Sequence, residues 1–199
     1  MTKKANLKNL KERLEKEVYT GITEEKRFVV YGSNKLPKNA KTGGNAMSNN
    51  KDTFSTFDEA VEAVLAKPDK YIGVGIVAGE FTKGKKVIIM DIDKMFDANG
   101  KATEVGISTL KSIFEQNIYG EKSMSGFGIH AIVVNREVNK RNKSKEKRNV
   151  SKCGQVPCEM CDKQSKCKLE APQRGWCSNV EMFYENSYVA LTGKEIELW

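Results

Sequence analysis

The chain has 199 residues, of which 39% are hydrophobic and 30% charged, with a formal net charge of +8. That length suits one domain spanning 1–199 with a sizeable core, and the basic balance favours polyanionic partners. No apolar run approaches the ~20 residues that a transmembrane helix needs, which excludes a membrane-spanning helix.

The predicted elements run as follows. The start, MTKKANLKNLKERLEKEV, is charged throughout and lacks the apolar core of a secretory signal. Leu7, Leu10, Leu14 and Val18 fall at helical spacing there, so an amphipathic helix is expected. Residues 27–31 (RFVVY) read as a strand and lead into SNKLPKNAKTGGNAMSNN, a loop of Gly, Asn and Lys. Thr56 followed by Glu59 has capping-box form and opens a helix with Phe57, Ala60, Val61, Val64 and Leu65 on one face. Pro68 ends it. Residues 71–78 (YIGVGIVA) and 86–90 (KVIIM) read as two strands joined by a polar turn around 80–85. A second helix is expected over 105–116, with Ile107, Leu110, Ile113 and Phe114 apolar. Residues 129–134, 179–184 and 188–191 read as three more strands. Strands mixed with packing helices predict an α+β sandwich.

One segment holds most of the excess charge. Residues 136–152 (REVNKRNKSKEKRNVSK) carry eight Lys or Arg against two Glu, a local net of +6, without hydrophobic periodicity. They read as a solvated loop that can serve as a phosphate-binding arm. All five cysteines follow at once, as Cys153, Cys158, Cys161, Cys167 and Cys177 in C-x4-C-x2-C-x5-C-x9-C. Without an export signal, disulfides are disfavoured, and clustered thiols around a C-x-x-C point to a structural Zn²⁺. Cys158, Cys161 and Cys167 form the core set, with Cys153 or Cys177 completing it; an iron–sulfur site is the minor alternative. The basic and cysteine-rich stretch, 136–177, is thus an insertion within the domain.

The strand KVIIM runs into Asp91-Ile-Asp93. Residues two apart on a strand face one side, so both carboxylates share a face. Such a pair is costly unless a cation lies between, and Mg²⁺ or Mn²⁺ accepts oxygen ligands of this kind. An EF-hand reading of DIDKMFDANG fails, because Met95 stands where a ligand belongs and a strand precedes it. Glu181, flanked by apolar Val180 and Met182, is the third acid. The chain's single histidine, His130, follows Ser123, Ser125, Gly126 and Gly128, whose small and hydroxylic character suits close approach to phosphate oxygens.

The order strand–DID, then EKSMSGFGIH, then VEMFY…YVALTG, resembles the bifunctional primase–polymerase branch of the archaeo-eukaryotic primase superfamily, found in phages, plasmids and mobile elements. The upstream NKLPKNAKTGG…STFDEA is similar to a further segment of that family, so the resemblance spans roughly 35–193 apart from the insertion. It implies an RRM-like catalytic sheet packed with an N-terminal α/β unit. Asp91, Asp93 and Glu181 would hold Mg²⁺ or Mn²⁺ and serve catalysis together with His130. His130 would contact the triphosphate, with Ser123, Ser125, Gly126 and Gly128 shaping its pocket and Lys35 as a further phosphate contact. The implied activity is DNA primase and polymerase action, a two-metal nucleotidyl transfer on single-stranded DNA for replication initiation. Implied partners are the DNA template, nucleoside triphosphates and a replicative helicase in cis or in trans, in the cytoplasm of a bacterial host. Two departures stand out: Ser187 occupies a position where the family has Arg, and Phe54 one where Trp is common.

Two rival readings remain. A non-enzymatic Zn-containing nucleic-acid-binding module explains the cysteines and charge but leaves the carboxylates and His130 without a role. A rolling-circle initiator or relaxase needs paired histidines, and the chain has one.

Overall fold

Leu7, Leu10 and Leu14 are all buried, and their spacing is what makes the first segment helical. In the computed structural model, which describes residues 2–80, 85–135, 145–149 and 179–196, this segment forms α1 (Lys3–Arg13). Thr2 caps it by accepting the Ala5 N–H, and the chain continues as a wider π-turn over Leu14–Val18. The expected capping box is present at α2 (Phe57–Ala66): Thr56 Oγ1 accepts the Glu59 N–H, and Glu59 accepts the Thr56 N–H. Phe57, Ala60 and Val64 are buried, whereas Leu65, expected on the same face, is exposed. The third helix, α3 (Glu104–Glu115), is capped by Thr103 and buries Leu110 and Ile113. Phe114 was expected inside with them. It follows Ile113 directly, so the ~100° turn per residue carries it to the exposed side.

Among the described residues, ten strands make two antiparallel sheets. The first contains β1 (Phe28–Tyr31), β2 (Pro37–Lys38), β3 (Gly73–Val77) and β10 (Tyr188–Ala190), in the order β10-β3-β1-β2. The second contains β4 (Gly79–Glu80), β5 (Lys86–Ile92), β6 (Tyr119–Lys122), β7 (Ile129–Asn135), β8 (Lys145–Asn149) and β9 (Asn179–Phe183). Its order is β6-β7-β5-β9-β8, with β4 also pairing to β5. The fold is therefore mixed α+β with antiparallel sheets.

The sequence runs YIGVGIVA and KVIIM do not pair with each other. Every residue of β3 is buried in the first sheet, and the chain then crosses to the second, where only Gly79–Glu80 lies against β5. The basic segment also departs from a plain loop, because 145–149 form β8 at the edge of the second sheet. An edge strand pairs through its backbone on one side only, so it needs no apolar alternation, and charge there is the common device against aggregation. The rest of that segment and all five cysteines lie outside the described residues.

Two apolar layers sandwich the second sheet. On one side Val87, Ile89, Ile132 and Tyr119 meet Phe28, Val30 and Ile76 of the first sheet together with α1 and α2. On the other, Ile92, Ile129 and Ala131 meet Leu110 and Ile113 of α3 with Met95 and Phe96. Strand alternation assigns successive residues of β5 to opposite layers. Phe54 packs with Val29, Ala46 and Val77 behind the first sheet. Among the described residues no helix is long and apolar enough to cross a membrane.

Candidate functional site

Residues directly opposite each other in an antiparallel pair share a face. Ile89 of β5 is opposite Ile132 of β7 and Phe183 of β9, and Ile132 is opposite Tyr119 of β6, which gives one apolar row across four strands. Two residues along β5, the next row on that face changes character. Asp91 is opposite His130 and Glu181, and His130 is opposite Glu121. Lys147 of β8 takes the ladder position opposite Glu181. The inter-sheet core thus ends in a polar row, Glu121–His130–Asp91–Glu181, with Asp93 just beyond the end of β5.

A cleft of about 290 Å³ opens over this row. The second sheet and the loops after β5 and β6 contribute Asp91, Asp93, Ser123, Met124, Ser125 and His130; the β1–β2 connection contributes Lys35, and β10 contributes Tyr188, Val189 and Ala190. Six residues singled out from the sequence therefore meet here. Lys35 holds a left-handed backbone, φ 57°, a conformation that costs a non-glycine residue about 1 kcal/mol or more. Glu181 belongs to the same row without lining the cleft. Among the described residues, no three His, Cys, Asp or Glu side chains stand close enough to grip one ion.

The loop between β6 and β7 is closed on itself. Ser123 Oγ accepts the Gly128 N–H at 3.1 Å and lies 3.0 Å from Ser125 Oγ. The Gly126 N–H donates to the Ser123 carbonyl at 3.0 Å, and the Phe127 N–H donates to Ser125 Oγ. The glycine N–H groups expected to cradle phosphate are thus used within the loop. Among the described residues, the N–H groups of Met124 and Ser125 meet no acceptor, and both residues line the cleft. Gly128 is required by close approach, since a Cβ there would sit 2.8 Å from the Ile92 carbonyl oxygen. This contact presses the loop onto the end of β5, beside both aspartates.

His130 is nearly buried, with Nδ1 3.2 Å from Glu121 Oε1 and Nε2 3.8 Å from Asp91 Oδ1. Burial opposes its protonation, but the hydrogen bond and charge of Glu121 and the charge of Asp91 outweigh it. The net effect lifts His130 above its ordinary value despite the opposing charge of Lys35. Glu121 is itself fully buried. It accepts from the Tyr119 hydroxyl at 2.7 Å and from the N–H groups of Thr192 and Gly193, each at 2.9 Å. Gly193 has φ +64°, and a Cβ there would meet Asn6 Oδ1 at 2.7 Å. That is the local reason for glycine in the T-G pair.

Glu121 is the residue that sequence reasoning missed. It lies in a short strand, Tyr-Gly-Glu-Lys, where the acid falls two places from an aromatic, a faint period-two signal. Ser187 contributes its carbonyl to the Ala78 N–H at 2.8 Å, and Lys35 is the basic group in the cleft. Met95 is fully buried, and Asp97 Oδ1 accepts the N–H groups of Asn99 and Lys101 in a local turn, so DIDKMFDANG is not arranged as an EF-hand loop. No family model matches the chain, and no curated protein matches it.

Proposed function

We propose that the chain is a nucleotidyltransferase of the primase–polymerase type, acting on single-stranded DNA with nucleoside triphosphates. The observation that carries this reading is the shared cleft of Asp91, Asp93, His130, Lys35 and Ser125, with Glu181 next in the same row. In this reading the second sheet is an RRM-like catalytic sheet.

Asp91, Asp93 and Glu181 would hold Mg²⁺ or Mn²⁺; their donors are hard carboxylate oxygens, which suit these ions. Bound there, the ions supply charge stabilisation to the attacking and leaving oxygens of an in-line displacement. Lys35 and the Met124 and Ser125 N–H groups bind phosphate oxygens from two sides of the cleft. His130 is a phosphate ligand and not a general base in this reading: its Nε2 faces the cleft beside Asp91, and Glu121 and Asp91 favour its protonated form against burial. The inter-sheet core behind the row excludes water from that side.

The basic segment, including β8, carries the template strand. Cys158, Cys161 and Cys167, with Cys153 or Cys177, would hold a structural Zn²⁺, for which a four-thiolate donor set is suited. A replicative helicase is the proposed partner.

The test mixes the protein with a primed single-stranded template, labelled nucleotides and Mg²⁺ or Mn²⁺. Primer synthesis or extension that Asp91→Asn with Asp93→Asn abolishes is the expected result. DNA binding without synthesis would replace the reading with a binding module, and a nicked, covalently attached product would replace it with an initiator.

A further inference from the structure

Glu121 is a carboxylate with no access to solvent, placed beneath the cleft and not in it. Three donors and the His130 ring converge on its two oxygens. The Thr192 N–H and His130 Nδ1 reach Oε1, and the Gly193 N–H and the Tyr119 hydroxyl reach Oε2. The two backbone donors come from the segment after β10, about seventy residues away in the chain, and their direction is set by main-chain geometry. Thr192 Oγ1 donates to the Lys122 carbonyl at 2.6 Å and fixes that segment against β6. The carboxylate therefore has little freedom to rotate.

This rigidity has a consequence for the imidazole. The Thr192 and Gly193 N–H groups already make both carboxyl oxygens acceptors, so we assign the proton in the 3.2 Å contact to Nδ1. Nε2, on the other side of the ring, is then the atom nearest Asp91 and the cleft.

We infer that Glu121 is a positioning residue for His130: clamped by Thr192 and Gly193, it fixes the ring's orientation with a proton on Nδ1, so that Nε2 is the nitrogen turned toward the ligand. The effect on nucleotide binding rests on the polymerase reading above, whereas the orientation of the ring does not. Through Glu121, the Thr192–Gly193 pair acts on the phosphate pocket without lining it.

Because His130 is the only histidine, selective ¹⁵N labelling of imidazole yields the signals of one ring. Long-range ¹H–¹⁵N spectra of the unsubstituted protein should show a proton held on Nδ1. A ring with Nδ1 bare and the proton on Nε2 overturns the inference without any variant. In Glu121→Gln, which keeps the shape, the Nδ1 signal should shift, and the nucleotide KM should rise about tenfold with a smaller change in kcat. An imidazole spectrum that Glu121→Gln leaves unchanged also overturns it. Should Glu121→Gln not fold, Tyr119→Phe removes one donor from Oε2 and leaves Oε1 with His130; the Nδ1 proton should persist there, and its loss would count against the proposal. Absence of polymerase activity with a proton on Nδ1 would refute the functional reading and leave the positioning role standing.

Discussion

Gly128→Ala tests whether the contact between the 123–128 loop and β5 holds the cleft in shape. The added Cβ would lie 2.8 Å from the Ile92 carbonyl oxygen and 3.1 Å from Ser123 Oγ, where ordinary contact begins at 3.4 Å. The larger shortfall, about 0.6 Å, is against main chain, which cannot rotate away as a flexible side chain could. Ile92 stands between Asp91 and Asp93, so relief must move either the loop or the two carboxylates. Overpacking of this kind costs about 1–3 kcal/mol. For a chain of this size each kcal/mol lowers Tm by about 2–4 °C, so a fall of about 2–12 °C is expected. Catalysis is more sensitive, since misplacement by about 1 Å can cost ~10²-fold in rate. Thermal melting and primer extension at saturating nucleotide should be measured on the same preparation. A variant that melts within about 1 °C of the parent and extends at the parental rate refutes the role assigned to this contact.

Three further outcomes are expected. His130 binds its proton more tightly when folded, so its stabilising contribution is complete below its unfolded pKa of 6.5 and is lost as pH rises through the folded value. In chelator, the stability difference between the parent and His130→Gln should therefore shrink as pH rises above 6.5, and growth of that difference would contradict the assignment. Thr56→Ala breaks the capping box of α2 and should cost about 1 kcal/mol in urea unfolding while leaving the nucleotide KM unchanged. Lys145→Gln with Lys147→Gln should flatten the salt dependence of single-stranded DNA binding by about 1.4 in log–log slope if both contact phosphate, and an unchanged slope removes β8 from the template path.

The elements with strong periodicity were legible in the sequence: α1, α2 and α3, and the strands carrying Asp91, His130 and Glu181, all lie within a few residues of the expected positions. The shared face of Asp91 and Asp93 follows from strand geometry alone. What could not be read was pairing. Nothing in YIGVGIVA or KVIIM says that they belong to different sheets, because a buried strand is apolar whichever neighbour covers it. Strand β8 was hidden for the opposite reason, since an edge strand rich in Lys has no apolar face to show. Glu121 was hidden because its meaning lies in Thr192, Gly193 and His130, contacts that exist only once three separate segments meet. The glycines at 126 and 128 were noticed, but as a phosphate cradle, when their N–H groups instead hold the loop together.

The last described segment, 179–196, serves both sheets: β9 lies between β5 and β8, and β10 borders β3 in the other sheet. During synthesis, everything through β8 emerges from the ribosome before either sheet can be completed. Asp91 and His130 can already pair on β5 and β7, but Glu121 still lacks its two backbone donors and Glu181 has not been made. Until that final stretch arrives, the half-built row would expose a buried acid and an unpaired strand edge, both costly states. The cleft therefore cannot close before this stretch is made, and a chain stalled on the ribosome before residue 179 lacks any competent pocket.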